Sequence, residues 1–114
     1  MAVQDKELYY PLENGERAIA LFYEDHSIWL STEDIARLYE TPLHLIIRHI
    51  KMIYMTDKMS DFLTVKQRRT NIDGRERLIS YYNLQMIVAI GNQLKAPQLP
   101  AFYKWALTKL NNTM

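Results

Sequence analysis

Thr32-Glu33-Asp34-Ile35-Ala36-Arg37-Leu38 and, beyond a break at Glu40-Thr41-Pro42, Leu43-His44-Leu45-Ile46-Ile47-Arg48-His49-Ile50-Lys51-Met52-Ile53-Tyr54-Met55 decide how this chain folds. Ser31 has the chemistry of a helix N-cap, and Glu33 and Asp34 fall in the first turn, where carboxylates complement the helix dipole. Ile35, Ala36, Leu38 and Tyr39 continue a short amphipathic helix. Thr41 suits a second N-cap and Pro42 the first helical position, where its missing N–H has no partner to lose. At 100° per residue, Leu43, Ile46, Ile50 and Ile53 share one stripe, with His44, Arg48 and Lys51 opposite. The spacing predicts a helix-turn-helix pair, with small Ala36 at the crossing and Leu38 and Ile46 in the core.

Outward from this pair, residues 18–23 and 28–30 predict a short N-terminal β-hairpin around the polar turn Glu24 to Ser27. Residues 1–17, with Pro11 and Asn14-Gly15, read as a poorly ordered arm. On the other side, residues 62–70 and 75–81 read as a second hairpin around Asn71-Ile72-Asp73-Gly74. Asn83 caps a third helix over 84–94, which is apolar nearly all round and therefore buried in a core or an interface. Two prolines, Pro97 and Pro100, precede a last helix over 101–110. The expected fold is α+β: one winged helix-turn-helix-like domain over 18–114, with an N-terminal β-hairpin, a basic β-hairpin wing and two C-terminal helices.

A length of 114 residues leaves room for one core. The chain has no cysteine, which removes disulfides and thiolate metal sites. Met1 to Leu12 lack the apolar core and cleavage site expected of a signal peptide, and no run comes near the ~18 apolar residues of a spanning helix. The expectation is a cytoplasmic protein without a membrane partner. Net charge is only +1, but its distribution is uneven. Up to Leu43 nine acidic and three basic residues give −6; from His44 onward eleven basic and four acidic give +7. Such polarity offers a positive face to a polyanion.

The hairpin sharpens that expectation. Lys66, Arg68, Arg69, Arg75 and Arg77 place five of the fourteen basic residues within twelve positions. Extended cations on a β-ribbon suit phosphate contact, because neutralising phosphates releases counterions. A charged edge hairpin guarded against strand addition has the same composition. Double-stranded DNA is therefore the expected partner, with His44, Arg48 and Lys51 on the second helix and the five ribbon cations as nucleic-acid-binding residues. Leu45, Ile47 and Met52 crowd that helix with apolar groups, which favours a protein partner instead. Ile87 and Trp105 are the expected contacts of a homodimer. Catalysis has no support: there is no nucleophile elbow, no phosphate-cradling loop and no metal spacing, so neither cofactor nor metal is expected.

Residues 22–110 resemble the N-terminal domain of the RhuM-like virulence protein family of bacterial genomic islands and prophages. The matching residues are Glu24-Asp25, Ile28-Trp29-Leu30, Ile35-Ala36, Leu38, Arg48-His49-Ile50-Lys51, Tyr81-Tyr82-Asn83-Leu84, Met86-Ile87, Ile90-Gly91, Phe102 and Trp105-Ala106. The resemblance implies a DNA-binding-like module of a phage or mobile element, similar in organisation to phage antirepressors, acting in transcription regulation or against a host or phage protein. The chain departs from the family at Glu40, where the turn usually has glycine. Leu43, Leu45 and Ile47 also stand where small polar residues are typical.

Overall fold

Both hairpins close on two-residue turns whose central residues take positive φ: Asp25 (52°) and His26 (60°), then Asp73 (53°) and Gly74 (79°). Paired left-handed residues match the right-handed twist of the flanking strands and hold each register. The computed structural model describes residues 6–56 and 64–113. Its elements are β1 (Lys6–Tyr10), β2 (Ile19–Glu24), β3 (Ser27–Ser31), α1 (Thr32–Leu38), α2 (Leu43–Thr56), β4 (Val65–Ile72), β5 (Arg75–Asn83), α3 (Leu84–Leu94) and α4 (Leu99–Thr113). These described residues form an α+β domain with one antiparallel sheet ordered β1-β2-β3-β5-β4. The first expected residues of the basic hairpin, 62 and 63, lie outside the described residues.

Strand alternation sends Ile19, Leu21, Ile28 and Leu30 to one face, where they meet Ile35, Leu38, Ile46, Ile50, Ile53, Met86, Ile87, Ile90 and Phe102 in a single core. Phe22 and Trp29, one step off in the pleat, face the other way. The sheet has one strand more than expected. β1, assigned to the arm from sequence, pairs with β2 from Lys6 opposite Tyr23 to Tyr10 opposite Ile19. Leu8 and Tyr10 pack on the core, but two inward apolar residues in five make too weak an alternation to mark a strand. The anchor is tertiary: the Tyr10 ring meets Phe102 and Trp105 edge-on, each at 5.0 Å between centroids.

The helix ends follow local chemistry. Ser31 Oγ accepts from the Asp34 N–H at 3.1 Å, and Asn83 Oδ1 from the Met86 N–H at 3.1 Å, as expected of N-caps. Ser27 Oγ accepts from the Leu84 N–H at 3.2 Å, satisfying a second free donor of α3. Glu40 takes the left-handed position between α1 and α2 (φ 49°), with the Thr41 N–H donating to the Ala36 carbonyl at 3.0 Å. A carboxylate residue thus occupies a corner that usually favours glycine. Thr41 does not cap α2 with its side chain, as its sequence position suggested; its hydroxyl donates back to the Tyr39 carbonyl at 2.9 Å.

α3 lies close to Tyr39 because Gly91 leaves room. The Tyr39 hydroxyl donates to the Ile87 carbonyl at 2.6 Å, and burial pushes its phenol well above the usual tyrosine range. A Cβ at position 91 would stand 2.6 Å from that hydroxyl oxygen and 2.9 Å from Leu99. Gly91→Ala therefore gains roughly 1 kcal/mol of helix propensity but overpacks the site at a cost of about 1–3 kcal/mol. It also disturbs a hydrogen bond worth about 1 kcal/mol. The expected result is a net loss of stability and a lower urea midpoint; a higher midpoint would refute the close contact.

Candidate nucleic-acid interface

α2 carries no acidic residue. Its buried side is Ile46, Ile50 and Ile53, and its opposite side exposes His44, Arg48 and Lys51, as the helical spacing predicted. Leu43, expected on the buried stripe, is exposed because it stands in the first turn, at the edge of the core. Among the described residues no carboxylate pairs with Arg48 or Lys51. His49 leaves this stripe and meets Gln93 of α3, Nδ1 to Oε1 2.7 Å. The apolar group expected for protein contact divides between the two flanks of the helix. Leu45, half-buried, and Met52, exposed, lie on the flank that includes His49, while Ile47 lies on the flank towards the hairpin.

The two homodimer residues do not behave alike. Ile87 is fully buried in the core, which removes it as a contact residue. An almost wholly apolar helix is compatible with a core or an interface, and here α1, α2 and α4 supply the core. Trp105 is half-buried against Tyr10 and Phe102, with the Lys109 ammonium 5.8 Å from its ring.

The ribbon cations separate by strand parity. Lys66 and Arg68 point to the side of the sheet away from the core. There the Arg68 guanidinium lies 3.6 Å from the centroid of Phe22, and the Lys66 ammonium 5.2 Å from that of Trp29. The same two cations are held by acidic residues of the β2–β3 turn. Lys66 Nζ is 2.6 Å from both Glu24 Oε2 and Asp25 Oδ2, and Arg68 pairs with the other Glu24 oxygen. Arg69 points to the opposite face and pairs with Glu76 at 3.0 Å. Arg75 and Arg77 are exposed, and among the described residues no carboxylate pairs with either. The acidic half of the chain therefore folds back onto part of the basic half.

Hydrogen bonding from Lys66, helped by Arg68, lowers the Glu24 pKa against the opposing effect of burial. Asp25 and then Glu24 raise that of Lys66. A lowered folded pKa means that the Glu24 contribution is full above the unfolded carboxylate value, about 4.3. It is lost as pH falls through the lower folded value. The raised Lys66 value works in reverse, its contribution lost only as pH rises past the ordinary lysine range. Glu24→Gln should therefore cost about 1 kcal/mol at neutral pH, and the difference from wild type should vanish in acid. Denaturation at pH 7 and at pH 3 measures this, and a pH-independent difference would contradict the ion cluster.

Leu43, Ile47, Ile72, Leu78 and Arg77 line a groove between α2 and the β5 strand, with a volume of about 220 Å³. The sequence placed Leu43 on the buried stripe and did not single out Ile72 or Leu78 as surface residues. Leu78-Ile79 held a usable signal, since two neighbouring apolar residues in a strand send one to each face. Glu24 and Asp25 gave no such warning, because their cations lie more than forty residues away in the chain. No protein-family model matches the chain, and neither a curated protein nor a solved structure matches it.

Proposed function

We propose that the chain is a non-catalytic module that binds double-stranded DNA, in the manner of a winged helix-turn-helix. In this reading α2 enters the major groove and the β4–β5 hairpin lies beside it as the wing. One observation carries it: the exposed stripe of His44, Arg48 and Lys51 belongs to a helix without a single carboxylate. Arg77 borders the groove beside that helix, and its side chain and that of Arg75, two residues away, project to the outer face of the same strand, as Lys66 and Arg68 do. Arg48, Lys51, Arg75 and Arg77 are the phosphate-contacting residues of this proposal, and His44 stands at the leading end of the helix. Lys66, Arg68 and Arg69 contribute less, because their charges already have acidic partners. The RhuM-like resemblance supports a regulatory role in a phage or mobile element.

Titration of the protein with a random-sequence duplex at two salt concentrations tests the proposal. Binding that weakens steeply with salt is expected; no salt-sensitive binding to any duplex would end it. A protein-interaction role has one specific observation in its favour, the 40% and 44% exposure of Ile47 and Met52.

A further inference from the structure

β3 stops pairing with β5 at Ser31 opposite Tyr81, where the chain turns into α1. From Arg75 to Ser80, β5 is paired with β4 on one side only. Along that stretch every second residue directs its N–H and C=O away from β4. Among the described residues no backbone hydrogen bond from another element meets them. Open edges of this kind invite an added strand. This edge is also the floor of the groove beside α2. Leu78, 59% exposed, projects to the helix side, where Leu43 and Ile47, 41% and 40% exposed, form the facing wall. Arg77 and Arg75 project to the other face of the same strand.

We infer that this edge of β5 binds an extended segment of a partner protein whose residues alternate between apolar and acidic, added to the sheet as a further strand. The two faces of the edge select the two halves of that pattern. An added strand directs alternate side chains to opposite faces, so one set enters the Leu43, Ile47 and Leu78 side and the other meets Arg75 and Arg77. Glu33 of α1 also borders this edge, beside Arg77 in the groove and beside Ile79 and Tyr81 in a neighbouring hollow. It opposes the two cations Arg75 and Arg77 as a single carboxylate, which leaves that face net positive. A second copy of the chain fits less well. In a two-fold antiparallel pairing the copy brings to that face only its own Arg75, Arg77, Ile79 and Tyr81, so it offers no carboxylate to the two arginines. The inference does not depend on DNA binding, since it rests on the backbone edge, the apolar wall and the charge of Arg75 and Arg77, which the DNA proposal also uses.

The probe is a fluorescein-labelled Glu-Val-Glu-Ile-Glu-Val-Glu-Ile peptide, titrated against the full chain by anisotropy. A lysine-for-glutamate peptide and a peptide of the same composition with the alternation scrambled serve as comparisons. Saturable binding of the acidic alternating peptide is expected, at least about tenfold tighter than either comparison. Arg77→Glu and Leu78→Asp should each weaken it about tenfold, and both side chains are exposed, so the thermal melt should stay close to wild type. Equal binding of all three peptides, or no effect of the two substitutions, overturns the inference. Sedimentation of the protein alone tests the other occupant. A dimer that Leu78→Asp dissociates gives the edge to a second copy and overturns the inference; a monomer supports it. If duplex DNA binds normally while the peptide does not, the strand-addition site alone is lost.

Discussion

Phe102→Ala should lower the unfolding free energy by about 3–5 kcal/mol, the range for emptying a buried aromatic site. Phe102 has no exposed surface. Its ring receives the edge of Tyr10 from β1 and lies at 5.9 Å from Trp105 in its own helix. The cavity would therefore open where the first strand and the last helix of the described chain meet, and neither could close it without leaving the sheet or α3. Tyr10→Ala should give a smaller loss, and the double substitution should cost less than the sum by about 0.5–1.5 kcal/mol, as expected of an aromatic pair. Urea denaturation of the four proteins measures all three quantities. A loss under about 1 kcal/mol for Phe102→Ala would mean that α4 is not part of the core.

What the sequence revealed and concealed divides along physical lines. Ser31, Asn83 and the Asp73-Gly74 turn act within a few residues of themselves, so their chemistry is readable from a short window, and α1, α3 and the basic hairpin follow. The α2 stripe is equally local, because 100° spacing alone separates Ile46, Ile50 and Ile53 from His44, Arg48 and Lys51. β1 was not readable, since its hold on the sheet comes from Phe102 and Trp105. Nor was the state of Lys66 and Arg68. Parity places them on one face of the ribbon, but only the pairing of β3 with both β2 and β5 brings Glu24 and Asp25 across to them. Counting cations along a chain cannot distinguish a free charge from one already matched.

That distinction sets the largest functional effect to be expected. The variant Arg48→Ala/Lys51→Ala/Arg75→Ala/Arg77→Ala removes four cations that have no carboxylate partner among the described residues. If each meets one phosphate, the slope of log affinity against log salt should flatten by about 3.6, at about 0.9 per contact. Between 50 and 200 mM salt, wild-type affinity should then fall by a factor about 150-fold larger than that of the variant. The control is Lys66→Ala/Arg68→Ala, which removes two cations already matched by Glu24 and Asp25. Its slope should change by less than about half as much, while its stability falls because Glu24 keeps its charge and loses its partners. All four substituted side chains are exposed, so the fourfold variant should melt near the wild-type temperature. Should the control flatten the slope more than the fourfold variant does, the Lys66 and Arg68 part of the sheet's outer face, and not α2 with Arg75 and Arg77, would be the DNA-contacting surface.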